Sequence, residues 1–415
     1  MPVPLLRPFA GLRPSPDHAA EVAAPPYDVL SSDEARQLAA GHPLSFLHIS
    51  KAEIDLPPGT DSTDPAVYAK ARENLDRMVA DGVLRRDAKP CYYVYRLEMG
   101  DHVQTGLVGG GSVAAYEANR IRKHEFTRPD KEDDRVRQIE ACDAQTGPVL
   151  LAHPDHPDVA AAIAATVAAA PAYSVTAADG IRHTIWVMES ESLIASVTAA
   201  FDSMPAVYIA DGHHRSAAAA RVAQARRKAG AAGDAPHESF LVVTFPIGEM
   251  KIFDYNRVVR DLNGMDRDRF LKALAADFTV TPAASPCRPA AAGEYGLYLP
   301  GQWYHLVPTR PRPPESEPVA RLDVSILSDR LLGPVLGITD LRKDKRIDFV
   351  GGKRGLGELE RRVDSGEMAA AFALFPTAMT DLVAVAEAGQ VMPPKSTWFE
   401  PKLADGLVSY PLSDA

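Results

Sequence analysis

The chain has 415 residues, of which 46% are hydrophobic, so it is long enough for two or three domains with sizeable cores. Its 45 basic residues are outnumbered by 55 acidic ones, and the net charge of −10 argues against nucleic acid and anionic membranes as partners. Cys91, Cys142 and Cys287 lie far apart and lack the spacing of a disulfide framework or a zinc site. The beginning of the chain has no apolar core of a signal peptide, and no apolar run is long enough to span a bilayer. These two observations predict a soluble, cytoplasmic protein.

Helix and strand patterns alternate in the first 260 residues, after an irregular, proline-rich start. Ser31, Ser32 and Asp33 offer a cap for a helix that runs through Leu38, and Asp64 offers a cap for a second helix that ends before Gly82. Two β-rich segments flank the turn Gly100-Asp101 and predict a hairpin. The next predicted elements are a helix over 156–170, a strand over 183–189, a helix over 191–201, a strand over 206–210, a helix over 215–229, and strands over 240–245 and 251–259 that pair with each other.

A second set of elements follows Asp261. The predicted elements are a helix over 266–276, a hairpin through Pro300-Gly301, a proline-rich loop over 308–318, a helix over 324–336, a strand over 347–350, a helix over 356–363, a strand over 371–375 and a helix over 381–388. This irregular alternation favours an α/β fold with mixed, α+β-like sheets. We therefore predict an N-terminal catalytic and nucleotide-binding region over 1–260 and a C-terminal α/β region over 261–415.

The string Asp211-Gly212-His213-His214-Arg215 follows a buried strand and opens a helix. Glycine can adopt backbone angles that other residues avoid, and the first turn of a helix presents N–H groups and a positive dipole end to an anion. The planar guanidinium of Arg215 suits phosphate oxygens. The alternative is that Asp211 only caps the helix and that the histidines pack locally. The pattern predicts catalytic roles for Asp211, His213 and His214, phosphate or nucleotide binding by Gly212, His214, Arg215 and Ser216, and Asp211 as the metal ligand.

Residues 122–135 form the most charge-dense segment of the chain and are a candidate second wall of the pocket. Glu125 is a candidate general base, and His124, Thr127 and Arg135 are candidate substrate ligands. His124-Glu125 lacks the spacing of a helical zinc site. The alternative is a solvated loop followed by the start of a helix.

Two further candidate substrate-binding groups follow Pro-Pro pairs, which fix the backbone direction. Tyr27 and Asp28 follow the first pair, and the alternative for them is a buried strap. Lys395, Ser396 and Thr397 follow the second pair, and the alternative for them is ordinary turn chemistry.

The string at 211–215 resembles the phosphate-binding motif of the ParB/sulfiredoxin superfamily, in which a Gly-x-x-Arg or Gly-x-His-Arg turn opens a helix and holds nucleotide phosphates. That superfamily includes partition CTPases, sulfiredoxin and a free-serine kinase with a similar string. A wider resemblance covers nearly the whole chain and points to a large bacterial and archaeal family catalogued as a domain of unknown function. Its motifs are Pro25-Pro26-Tyr27-Asp28-Val29, His124-Glu125-Phe126-Thr127 with Asp134-Arg135, the string at 211–215, and Met392-Pro393-Pro394-Lys395-Ser396-Thr397 with Pro401-Lys402. The resemblance implies a link to serine metabolism.

Three functional hypotheses follow from these patterns. The first is a phosphotransferase that depends on Mg²⁺ and on ATP or ADP and acts on a small hydroxyl metabolite, with L-serine as the leading candidate. The second is a metal-dependent hydrolase or phosphatase with histidine and carboxylate ligands. The third is a non-catalytic, ParB-like nucleotide-binding regulator, although the sequence offers no basic recognition helix. We predict a small-molecule substrate, neither nucleic acid nor membrane as a partner, and a homodimer as one assembly that the sequence leaves open.

Overall fold

The structure is a computed structural model that describes residues 4–413. The helices are α1 (Ala19–Val22), α2 (Ser32–Ala39), α3 (Leu47–Ser50), α4 (Pro65–Ala80), α5 (Val113–Glu117), α6 (Pro129–Cys142), α7 (Pro157–Val167), α8 (Glu191–Ser203), α9 (His213–Lys228), α10 (Arg267–Leu274), α11 (Asp323–Leu327), α12 (Gly355–Asp364) and α13 (Met379–Glu387). Every helix in the described range is too short or too polar to cross a membrane.

The strands alternate with these helices along the chain. They are β1 (Leu6–Arg7), β2 (Leu12–Pro14), β3 (Leu84–Arg86), β4 (Tyr92–Met99), β5 (His102–Ser112), β6 (Ile121–Arg122), β7 (Ala144–Gln145), β8 (Val149–His153), β9 (Tyr173–Thr176), β10 (Arg182–Met188), β11 (Val207–Asp211), β12 (Ser239–Pro246), β13 (Ile252–Phe253), β14 (Tyr255–Val259), β15 (Phe278–Ala283), β16 (Tyr295–Leu299), β17 (Gln302–Pro308), β18 (Ile347–Gly351), β19 (Ala370–Leu374), β20 (Trp398–Phe399) and β21 (Tyr410–Pro411). The fold class is α/β with mixed sheets, as the sequence predicts.

The chain divides into two compact units. The first comprises Met1–Met250 and Pro401–Ala415, and the second comprises Lys251–Glu400. The predicted boundary lies at residue 260 and leaves the C-terminal segment in the second region. The structure differs because β14 hydrogen-bonds to β18 and β19 of the second unit, whereas the C-terminal segment returns to the first unit, where β21 pairs with β7.

The large sheet of the first unit has the order β6-β11-β8-β12-β5-β4-β10-β9, with β1 added on β5. The predicted hairpin is confirmed, because β4 and β5 pair antiparallel across the turn. β8 was not predicted, and it separates β11, its antiparallel neighbour, from β12, its parallel neighbour. This order places the start of β8 beside the end of β11, where the turn at residues 211–215 begins.

The second unit contains an antiparallel sheet with the order β15-β17-β16-β19-β14-β18. The predicted pairing of strands 240–245 and 251–259 is wrong. β12 hydrogen-bonds to β5 and β8 in the first unit, and β14 hydrogen-bonds within the second. The short link between them favoured a hairpin, but the chain instead passes there from one sheet to another.

Candidate functional site

The turn between β11 and α9 has the backbone geometry that an anion site requires. Gly212 caps α9 with a left-handed backbone, φ 98° and ψ 27°. The helix begins at His213 and not at Arg215 as predicted, so both histidines lie in its first turn. The N–H group of Ser216 donates to the Gly212 carbonyl at 3.0 Å, which is the first hydrogen bond of the helix backbone. The three residues before Ser216 lie ahead of this bond, so their N–H groups make no such bond within the helix. Their N–H groups are the ones that a bound anion can use.

We expect Gly212→Ala to lower the free energy of unfolding by about 2 kcal/mol. The added Cβ would be strained at this positive φ and would lie 3.2 Å from the Cα atom of Val149. The matched control is Gly230→Ala beyond the other end of α9, where φ is +92° but no atom lies within 4 Å of the new Cβ. Urea unfolding of both variants measures the difference, and equal losses would contradict the close approach of Gly212 to β8.

Arg215 is buried at the base of the turn and directs its guanidinium towards the start of β8. Nη1 donates to the Pro148 carbonyl, and Nη2 lies 3.4 Å from Asp28 Oδ2 and 3.7 Å from Asp211 Oδ2. Burial alone would lower the pKa of Arg215, but the carboxylates of Asp28 and Asp211 outweigh it and raise the pKa. The guanidinium is therefore permanently charged. The side chains of Asp28 and Asp211 are 39% and 37% exposed, so the mouth of the site opens to solvent.

Lys402 reaches the same turn from the C-terminal segment, and sequence reasoning gave it no role. Its Nζ atom lies 3.4 Å from Asp211 Oδ2. Burial would raise the pKa of Asp211, but the charges of Lys402 and Arg215 outweigh it and hold that pKa well below its usual range. Two cations thus converge on one ionised carboxylate. The available signal was Pro401-Lys402, which belongs to the family pattern described above.

His213 and His124 form a buried pair beneath the turn. Their rings meet edge to face with centroids 4.5 Å apart, and the His124 N–H donates to His213 Nε2 at 3.4 Å. His213 Nδ1 lies 3.6 Å from Glu125 Oε2. Burial lowers the pKa of His213 well below its usual value and that of His124 to about 4. Both imidazoles are therefore neutral at physiological pH, and the predicted residues His124, Glu125 and His213 lie together.

Three other predicted residues make local hydrogen bonds around the turn. His214 Nε2 accepts the N–H of Arg128 at 3.1 Å, which ties the charge-dense segment to α9. Thr127 Oγ1 donates to Glu132. Ser216 Oγ is buried and donates to the His213 carbonyl at 3.0 Å, so this hydroxyl group bonds within α9.

Tyr27, Asp28 and Arg135 lie beside Arg215, as the prediction of a shared pocket requires. Tyr27 begins a 3₁₀ turn, Tyr27–Val29, directly after Pro26. The Arg135 guanidinium stacks on the Tyr27 ring at 3.9 Å, and that of Arg215 lies 6.0 Å from the same ring. Arg135 also donates to Asp134 Oδ2 at 2.8 Å.

Lys395, Ser396 and Thr397 belong to the second unit, where they form a tight turn. Lys395 has a positive φ of 60°, and its carbonyl accepts a hydrogen bond from Arg257 Nη2 at 2.9 Å. Ser396 Oγ donates to the Pro393 carbonyl at 2.7 Å. Their predicted contact with substrate stays a prediction.

No cluster of three or more histidine, cysteine or carboxylate side chains within residues 4–413 is arranged to hold a metal ion. The Nε2 atoms of His213 and His214 both accept backbone N–H groups, as described above. Asp211 and Asp28 remain as a pair of carboxylates that flank one guanidinium nitrogen.

The fold and the site define an α/β protein in which a glycine turn, a buried guanidinium and a lysine surround an ionised aspartate. The chain belongs to the family described as "Protein of unknown function (DUF1015)", whose model matches residues 6–325. The membership that the four sequence motifs predict is thereby confirmed. No curated protein shows a significant match to the chain.

Several solved structures resemble the chain at low similarity. A conserved hypothetical protein from Pyrococcus furiosus is 15% identical, with 69% of this chain and 90% of that chain covered and a TM-score of 0.33. A free serine kinase in complex with AMP is 12% identical, with 70% and 89% covered and a TM-score of 0.32. SbnI with a C-terminal truncation, from Staphylococcus aureus, is 11% identical, with 72% and 85% covered and a TM-score of 0.36. These values are too low to support a functional argument, which therefore depends on the residues of the site.

Proposed function

We propose that the protein is a phosphotransferase that depends on Mg²⁺ and on ATP or ADP and acts on a small hydroxyl metabolite. L-Serine is the leading acceptor, because the string at 211–215 resembles that of the free-serine kinase. The observation that carries the proposal is the convergence of Arg215, Lys402 and the N–H groups of the first turn of α9 beside the partly exposed Asp211.

Phosphoryl transfer requires alignment and charge neutralisation more than covalent help from the protein. Arg215 offers a planar fork that matches two phosphate oxygens, and Lys402 offers a point charge beside the same Oδ2 atom of Asp211. The N–H groups of α9 add fixed dipoles that need no rearrangement during the reaction. These three groups together account for binding and activation of a polyphosphate.

The acceptor hydroxyl must lose a proton to a nearby base. The low pKa of Asp211 makes it a weak base, and the Nε2 atoms of His213 and His214 already accept backbone N–H groups. Two carboxylates remain, Glu125 beside His213 and Asp28 beside Arg215. Both side chains are partly exposed and can meet a substrate that enters from solvent.

Asp211 fits the role of a Mg²⁺ ligand, because Mg²⁺ is commonly held by one or two carboxylates together with substrate phosphates. The ion would supply charge neutralisation on the transferring phosphate. Within the protein, Asp211 is suited to this role because Lys402 and Arg215 keep it ionised.

The direct test is incubation with Mg²⁺, ATP or ADP, and L-serine, followed by mass spectrometry for the phosphorylated product. We expect product with one of the donors, and at least about a 100-fold loss in either Glu125→Gln or Asp28→Asn, whichever removes the base. Nucleotide binding without transfer to L-serine or to other small alcohols would contradict the enzymatic proposal and favour a nucleotide-binding regulator. Metal-dependent release of phosphate from phosphoserine without nucleotide would instead favour the hydrolase.

We expect Lys402→Gln to weaken ADP binding about tenfold, because it removes one of the two cations beside Asp211. The matched control is Lys89→Gln, which changes an exposed lysine of the same unit. Calorimetric titration measures both affinities. Equal affinities in the two variants would remove Lys402 from the proposed site.

A further inference from the structure

A small recess lies behind Arg215 in the first unit. Its volume is about 20 Å³, and its walls include Tyr27, Ser50, Arg135, Arg215 and Asp405. Arg215 therefore borders both the recess and the turn that carries the proposed phosphate site. A substrate group in the recess would lie close to the proposed reaction centre.

Asp405 is held firmly at the wall of this recess. Its N–H and carbonyl exchange hydrogen bonds with Ala24, directly before the Pro-Pro pair that positions Tyr27. The residue is only 1% exposed, yet within residues 4–413 neither carboxylate oxygen accepts a hydrogen bond of ordinary geometry, and the nearby backbone N–H of Tyr27 acts on the carboxyl only enough to oppose the rise of its pKa. Ser50 Oγ, in a residue that is 7% exposed, is likewise without a hydrogen bond in the same range. Buried polar atoms of this kind are costly unless something else satisfies them.

Asp405 forms no ion pair within the part of the chain that the structure describes, because the nearby cations pair with other carboxylates. Arg135 is bonded to Asp134, and Arg215 lies between Asp28 and Asp211. Burial raises the pKa of Asp405 to about 7, although the charge of Arg215 acts in the opposite direction. Above this pKa the buried carboxylate is ionised and can serve as the counterion of a bound cation, although the guanidinium groups of Arg215 and Arg135 also act on it.

The size of the recess limits which group can enter. A volume of about 20 Å³ accepts one group of the size of a water molecule, for which about 10–15 Å³ is enough. It is too small for a phosphate or a carboxylate. A primary ammonium has three N–H donors and no acceptor, and the recess has three unsatisfied oxygens, two on Asp405 and one on Ser50. A water molecule has only two donors and brings no charge.

We propose that the recess binds the primary ammonium group of the substrate, with Asp405 as its counterion and Ser50 as a third acceptor. The inference rests on the proposed function in one respect: the same substrate carries the hydroxyl that accepts phosphate. The substrate class is then a small amino alcohol, and Asp405 is a specificity-determining residue.

Matched pairs of probes test this subsite without nucleotide or metal. The pairs are ethanolamine with ethylene glycol and L-serine with L-glycerate, in which a hydroxyl replaces the ammonium group. Calorimetric titration at pH 8 should show at least about tenfold tighter binding of each amine by the unaltered protein. Asp405→Asn, which keeps the shape but removes the charge, should erase this preference, and Ser50→Ala should reduce it.

The control measurement is ADP affinity in Asp405→Asn, which should stay the same or rise because a negative charge near Arg215 is lost. An unaltered amine preference in Asp405→Asn, or equal binding of amine and hydroxyl probes by the original protein, would overturn the proposal. Stabilisation by potassium ions without any response to the amines would overturn it in favour of a metal ion. Because these titrations contain no phosphate donor, failed phosphotransfer with an Asp405-dependent amine preference would refute only the proposed function.

Discussion

Replacing Arg215 with lysine should reduce the affinity for ADP by about 100-fold or more while the protein stays folded. Lysine keeps the positive charge between Asp28 and Asp211, but it loses the planar fork that in the proposed site would bond two phosphate oxygens at once. Two hydrogen bonds to a charged group together contribute about 3 kcal/mol, which corresponds to this change in affinity. Calorimetric titration gives the affinity, and thermal unfolding shows whether the fold is retained.

Alanine is less informative at this position, because Arg215 is buried and faces two carboxylates. Its removal would take the cation from Asp28 and one of the two cations from Asp211, so weaker ADP binding would not distinguish a lost phosphate contact from a disturbed turn. The matched control is Arg221→Lys on the exposed side of the same helix, where Arg221 pairs with Glu132 and Asp133. We expect that control to bind ADP normally. Unaltered ADP affinity in Arg215→Lys would mean that the guanidinium does not contact phosphate.

Replacing Asp405 with asparagine should stabilise the protein, and the gain should grow with pH. The pKa of Asp405 is raised from 3.8 to about 7 by burial, so the folded state holds this proton more tightly than the unfolded state does. The free energy of unfolding therefore falls as pH rises from the unfolded pKa to the folded pKa. Above the folded pKa, the free energy of unfolding is about 4 kcal/mol lower than it is below the unfolded pKa. Asparagine does not titrate and escapes this loss.

Urea unfolding at pH 5 and pH 8 measures the effect. Between these two values the stability difference between Asp405→Asn and the original protein should increase by about 3 kcal/mol. All other titrating groups are shared, so the difference isolates Asp405. Asp101→Asn, in the exposed turn between β4 and β5, serves as the control. A difference that does not change with pH would show that Asp405 is ionised throughout this range.

Local signals in the sequence predicted two helix caps, one hairpin and the turn at Gly212. Ser31, one of three predicted candidates, caps α2, and Asp64 caps α4 as expected, because a cap depends only on residues within one helical turn. The hairpin β4–β5 follows from its turn and from the β-rich segments on both sides. The strand, glycine and helix around Gly212 were recognisable for the same reason.

Features that depend on distant parts of the chain were not recognisable. Lys402 and Asp405 enter the first unit only because the chain returns to it after the second unit. No local pattern encodes that return, and only the family string Pro401-Lys402 pointed to Lys402. β8 is short, and sequence reasoning assigned no element to its residues. Phosphate binding by Ser216 stays a prediction, and in the structure its hydroxyl donates within its own helix, a rotamer choice that the sequence does not encode.

If the turn at residues 211–215 recognises phosphate, the affinity of the protein for a nucleotide should depend on the phosphates of that nucleotide. Calorimetric titration with ADP, AMP and adenosine, in the presence of Mg²⁺, measures this dependence. We expect ADP to bind more tightly than AMP and adenosine to give no measurable heat, because the proposed contacts are with phosphate oxygens. Adenosine binding with the affinity of ADP, or no binding of ADP at millimolar concentration, would show that this turn does not recognise phosphate.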